Sequence, residues 1–123
     1  MNYTYQKPEK LKSKKTIESL FTEGKSIAQF PLRLVYVPLI NETENKVGVS
    51  VSKKYFKKAV DRNYYKRILR ECYRLNKSIL FQDLEKKYAI MFFYQTRERL
   101  NYQDIYNKTI LLFEKFNMAE KTK

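Results

Sequence analysis

The segment KKAVDRNYYKRILRECYR, residues 57–74, constrains the fold of this chain more than any other. At 3.6 residues per turn each position advances about 100° around a helix axis. With Lys58 set at zero, Arg62, Lys66, Arg70 and Arg74 fall at about 40, 80, 120 and 160°, and Asn63 and Arg67 near 140 and 180°. Val60, Tyr64, Ile68, Cys72, Tyr65 and Leu69 take the remaining arc, from about 200 to 380°. The spacing predicts a helix with one oily half and one half made of cations and an amide. Such a helix needs a partner surface for its apolar side, and the flanking segments supply strands.

Upstream, SKKTIESLFTEG places Ile17, Leu20 and Phe21 at i, i+3 and i+4, with Ser13 as N-cap and Gly24 as a stop. KSIAQFPLRLVYVPL follows, rich in β-branched and aromatic residues; Pro31 divides it into strands near 25–29 and 32–37. In KVGVSVS, Val47, Val49 and Val51 alternate with Gly48, Ser50 and Ser52, giving one branched face and one bare one. A bare face serves solubility or lets a flat ligand come close. The basic helix is expected to end near Arg74, and LNKSILFQDLEKK to connect with one further helical turn. YAIMFFY reads as a strand covered on both faces. NYQDIYNKTILLFEKF reads as a last helix, with Asn101 as N-cap, Asp104 three residues on, and Ile105, Leu112, Phe113 and Phe116 on one side. Residues 1–12 read as a loose basic tail and AEKTK as a frayed end. The expectation is one α+β domain over 1–123, ordered over about 10–116, in the order α-β-β-β-α-β-α with a strand–helix–strand crossover through the basic segment.

Charge points to the partner. The chain carries a net +13. Between Lys53 and Arg74 nine Lys and Arg face only Asp61 and Glu71, so this stretch holds +7 of that total. Water-facing helices usually interleave signs, because like charges four apart destabilise each other. Polyanion binding therefore outweighs a solvated face. A membrane-lying helix would need its apolar half for lipid, and here that half seats the helix, so no membrane partner is expected. Four arginines suit phosphates bidentately, and Asn63 adds an amide able to read a base or a 2′-hydroxyl, which favours RNA over DNA. With no histidine and one cysteine, neither a zinc site of the usual kinds nor an internal disulfide is expected. Asp61 and Glu71 lie ten residues apart, about 15 Å along the helix, too far for one metal. Cys72 falls on the packing face as an inert thiol. No secretory signal and no bilayer-length apolar run is read, so a cytoplasmic location is expected.

VGVSVSKK followed by KAVDRNYYKRILRE closely resembles the signature of the bacterial ribonuclease P protein subunit, in which a strand ending in Ser and paired lysines leads into A-x-x-R-N-R-x-K-R-x-x-R-E. The resemblance covers roughly residues 10–115: LKSKKTIESLFTEGK is similar to that family's first helix and YAIMFFY to its last strand. It implies a fold like ribosomal protein S5 domain 2, with a left-handed crossover opposite to the usual hand. It implies a protein that pairs with a catalytic RNA and holds the 5′ leader of precursor tRNA. Cleavage would then be carried out by the RNA with magnesium ions, and no metal would be bound by the protein alone. Ala59, Arg62, Asn63, Lys66, Arg67, Arg70 and Glu71 match the motif, and Lys53 and Lys54 its lead-in. With Lys57, Lys58 and Arg74 these cations and Asn63 form the expected RNA-binding set; Arg62→Ala and Arg67→Ala are each expected to cost assembly and leave stability intact. Ile17, Phe21, Val35, Ser50 and Tyr64 are the leader-cleft candidates. Tyr64 stands where the family has its second arginine and can either stack on a base or pack. For Ile17 and Phe21 the alternative is ordinary helix-to-sheet packing. The rival to the whole reading is a structural RNA-binding protein of ribosomal type with no part in processing.

Overall fold

Two residues punctuate the first third of the chain. The computed structural model describes residues 5–121. Helix α1 (Lys14–Glu23) starts at Ser13, whose hydroxyl accepts from the Thr16 amide at 3.3 Å. It stops at Gly24 because the chain there passes against strand β2: a Cβ on Gly24 would lie 2.2 Å from the Leu20 carbonyl oxygen and 2.7 Å from Val35 Cγ1. Strands β1 (Lys25–Gln29) and β2 (Leu32–Leu39) form a hairpin around Phe30–Pro31, and β3 (Lys46–Ser50) follows. Helix α2 (Ala59–Phe81) leads to β4 (Lys87–Tyr94), and α3 (Tyr102–Lys121) closes the fold, its Asn101 Oδ1 accepting from the Asp104 amide at 2.8 Å.

The sheet order is β1-β2-β4-β3, antiparallel except for the β3–β4 pair, which is parallel and joined through α2. Period-two alternation then sorts the side chains. Leu32, Leu34 and Tyr36 of β2 and Tyr88, Ile90, Phe92 and Tyr94 of β4 form the main core with α2 and α3. Leu20 of α1 packs on the opposite face with Val37 and Ala89, bordered by Leu11, Val35, Leu39 and Met91. Phe93, on that second face, is only half-buried, so YAIMFFY is fully covered on one face and partly open on the other. All four of Ile105, Leu112, Phe113 and Phe116 are buried, as their spacing predicts.

Three boundaries differ from the sequence reading. Helix α2 continues past Arg74 to Phe81, because Asn76 and Leu80 keep the buried stripe running and Asn76 satisfies itself on the Cys72 carbonyl at 2.9 Å. Residues 5–11 are docked: a 3-10 turn at Lys7–Glu9 precedes a bridge from Lys10 to Val47 of β3, and the Leu11 amide donates to the Val47 carbonyl. Glu9 then reaches α2, accepting from Tyr73 Oη and pairing with Lys77 at 2.6 Å, both side chains of the pair largely buried. At the other end α3 runs through Lys121, where Glu120 accepts from the Tyr36 and Tyr88 hydroxyls at 3.0 and 2.8 Å. Residues 1–4, 122 and 123 of the expected loose ends lie outside the described residues.

Cys72 is fully buried on α2, and burial pushes its thiol up to about 11. At pH 8 almost no thiolate is therefore available in the folded protein. Alkylation by iodoacetamide at that pH is expected to be negligible until denaturant unfolds the chain, which mass spectrometry of the labelled protein measures; rapid labelling in buffer alone would contradict the packing.

Candidate nucleic-acid interface

The 23 residues of α2 extend about 34 Å, at 1.5 Å per residue. Lys58 is its N-cap and makes no side-chain cap. The buried positions are Tyr65, Ile68, Leu69, Cys72, Tyr73, Asn76 and Leu80. On the angular scale used above they span about 280 to 60°, so the seam is rotated by about 60° from the expected arc. Val60 and Tyr64 consequently leave the packing face and are 70% and 52% exposed.

Both acids of the segment are taken out of the cationic field. Asp61 is held by Arg99, from the β4–α3 loop, at 3.1 Å; hydrogen bonding to that guanidinium keeps its carboxyl below the usual range. Glu71 is held by Arg74 one turn on, with the same effect on its carboxyl. Lys53, Lys57, Lys58, Asn63, Arg67 and Arg70 are exposed, and Lys66 is half-buried. Among the described residues Lys66, Arg67 and Arg70 enter no ion pair. Lys54 is exposed, with its ammonium 5.6 Å from the centre of the Tyr55 ring.

Two members of the predicted set are placed differently. Arg74 is committed to Glu71 and only partly exposed. Arg62, at the edge of the rotated seam, donates to the Phe56 and Lys57 carbonyls at 3.0 and 2.7 Å and so fixes the turn that enters the helix. Arg62→Ala is thus expected to lower stability by about 1 kcal/mol as well as RNA affinity. Arg67→Ala should lower affinity alone, and thermal melts of the two variants side by side check the difference.

The cleft candidates separate into two places. Val35 and Ser50 lie on the sheet face away from α2 and α3, where the register puts Val35 beside Met91 and Ser50 beside Phe93. Ile17 and Phe21 lie four apart on α1; Ile17 is half-buried, while Phe21 is 65% exposed and takes no part in the core that Leu20 makes. Tyr64 is elsewhere, about 120° round α2 from Arg70, edge-on to buried Tyr65 at 5.0 Å. Tyr65 in turn stacks between Phe56 and Tyr94 at 4.8 and 4.7 Å, with the Arg99 guanidinium over Phe56 at 5.3 Å.

A groove of about 380 Å³ joins the helix to the sheet face. Gly48, Val49 and Met91 form part of its wall, Lys10, Lys12 and Arg70 supply its charge, and among the described residues no acid lines it. Gly48 keeps it open, since a Cβ there would sit 3.3 Å from Met91 and 3.4 Å from Leu11. Tyr5 closes one end, donating to the Val47 carbonyl and packing edge-on to Tyr73. Lys10, Lys12 and Tyr5 were not among the sequence candidates; the only local signal was basic composition, and that for the lysines alone. Among the described residues no cluster of three His, Cys, Asp or Glu side chains could hold a metal ion, and no helix is long and apolar enough to cross a membrane.

The fold and this surface define a basic α+β domain that turns one long helix into an unopposed cationic ridge beside an acid-free groove. Residues 5–117 match the model of the family described as Ribonuclease P. The chain belongs to the ribonuclease P protein family. It is 40% identical over 101 residues to the ribonuclease P protein component of Porphyromonas gingivalis W83, covering 76% of this chain and 72% of that one. It is 34% identical over 110 residues to the same component from Clostridium botulinum strain 657, covering 89% and 95%. The fold is that of the RNase P protein of Staphylococcus aureus, TM-score 0.72 at 21% identity over 91% of this chain and 95% of that one. It also matches the RNase P protein from Thermotoga maritima, TM-score 0.70 at 24% identity over 87% and 96%.

Proposed function

We propose that this chain binds a ribonuclease P RNA through the cationic side of α2 and guides the 5′ leader of precursor tRNA, promoting endonucleolytic 5′ maturation. One observation carries this reading: among the described residues Lys66, Arg67 and Arg70 stand without acids of their own, because Asp61 and Glu71 are each occupied by another arginine. Phosphates of folded RNA would complete that set, with Lys53, Lys54, Lys57, Lys58 and Asn63 extending the contact around the helix entry. The groove beside Arg70 offers a leader both cations for its backbone and apolar wall for its bases. Ser50, Val35, Ile17 and Phe21 are the side chains that would meet the strand beyond it. Magnesium, which activates water and stabilises the leaving oxygen in such hydrolysis, would be held by RNA phosphates, since no described residues group to hold it. The protein's part is to bind, orient and offset phosphate repulsion.

Reconstitution tests this. Purified chain with a ribonuclease P RNA, precursor tRNA and magnesium should release the leader at magnesium concentrations where the RNA alone is slow. The chain without that RNA should release none. Phe21→Ala should weaken binding of precursor by about tenfold and of mature tRNA hardly at all. No acceleration by the protein would leave the ribosomal-type RNA-binding reading standing, and equal effects of Phe21→Ala on both tRNAs would remove Phe21 from the leader path.

A further inference from the structure

Tyr64 is hard to explain as packing. Its ring is half exposed and meets the core only through its edge contact with Tyr65, at 5.0 Å and 89°. It makes no hydrogen bond among the described residues. Val60, one turn earlier on the same side, is still more exposed, and Arg67 stands one turn later. The three form a short stripe, branched aliphatic then aromatic then guanidinium, that leaves the cationic ridge on the side away from the groove. An exposed tyrosine and valine at the border of a polyanion-binding face offer an apolar seat to something flat with a charged backbone. The neighbouring acid, Asp61, is neutralised by Arg99, so the patch repels no phosphate.

We propose that Tyr64 is a stacking platform for one unpaired nucleobase of the large RNA, with Val60 against the same base or its sugar and Arg67 on the adjoining phosphate. The inference rests on the reading of α2 as the RNA-binding helix and assigns a second kind of contact to it. A paired base keeps its faces inside the duplex and cannot use such a platform, so the ligand is a bulged, looped or terminal nucleotide. The contact belongs to the large RNA, because Tyr64 lies about 120° round the helix from Arg70 and the leader groove. It also replaces one ionic contact by a salt-insensitive one.

The experiment measures binding of a ribonuclease P RNA to wild type, Tyr64→Ala and Tyr64→Phe across a salt series, with the leader-bearing substrate titrated separately into the complex. Tyr64→Ala is expected to bind the large RNA about tenfold more weakly with an unchanged slope of log affinity against log salt. Tyr64→Phe keeps both the ring and its contact with Tyr65 and should stay within about twofold of wild type. Substrate affinity of the assembled complex should be the same for all three. Ultraviolet crosslinking of wild type should join the Tyr64 peptide to a nucleotide of the large RNA. Wild-type affinity in Tyr64→Ala, an equal loss in Tyr64→Phe, or a crosslink to the leader would each overturn the assignment. Failure of wild type to bind the RNA at all would instead defeat the function proposed above, and this contact with it.

Discussion

Replacing Lys66, Arg67 and Arg70 together by alanine is expected to weaken binding of a ribonuclease P RNA by about 100-fold or more near physiological salt. The slope of log affinity against log salt should fall in magnitude by about 2 to 3, because each lost phosphate contact releases roughly 0.9 fewer counterions on duplex. The melting temperature should hold or rise. Among the described residues none of the three side chains forms an ion pair, and Lys66 and Arg70 repel one another four residues apart. Filter binding over a salt series and a thermal melt check both halves. A variant that melts early would show these cations to be structural, and one that binds with an undiminished slope would move the RNA to another surface.

The adjacent residue gives the opposite result. Leu69 is fully buried in the core that α2 shares with the sheet and α3. Leu69→Ala should cost about 2–5 kcal/mol from lost transfer energy and the cavity left behind. In a domain of this size that lowers the melting temperature by about 10 °C or more. Affinity for RNA, measured well below the new midpoint, should change little, since no cation moves. If Leu69→Ala melted with wild type, the inward half of the helix would not be the foundation of the fold. One peptide bond thus separates a position whose loss is read in a melt from a position whose loss is read in a salt titration.

Much of this was legible because its causes are local. Pro31, Gly24, Ser13 and Asn101 mark boundaries through their own backbone chemistry, and strand and helix limits near them agree with the reading to within a residue or two. The α+β order and the two-sided character of α2 follow from periodicity alone. What was missed depends on residues far apart in the chain. The reading ends the helix near Arg74, yet its buried stripe continues through Asn76 and Leu80. The seam was misjudged because Val60 and Tyr64 count as apolar on a wheel, whereas the surfaces that receive α2 are set by β4 and α3 and leave both outside. Arg62 sat in the cationic half on that wheel, and only the chain entry folded against it reveals its structural tie. The groove escaped for the same reason: Tyr5 and Lys10 have no periodicity, and they are placed by contacts with β3 and α2.

The docking of residues 5–11 on β3 has a consequence for how the free chain behaves in concentrated solution. A four-stranded sheet has two margins, and each could recruit a strand from another molecule. At β3, Val47 already accepts from Leu11 and Tyr5, and the Lys46 ammonium reaches the Pro8 carbonyl. At β1, the Lys115 ammonium donates to the Ala28 carbonyl at 2.7 Å. The β3 border thus carries a turn of the same chain and the β1 border a lysine, devices that blunt a strand edge, so a preparation awaiting its RNA should stay dispersed.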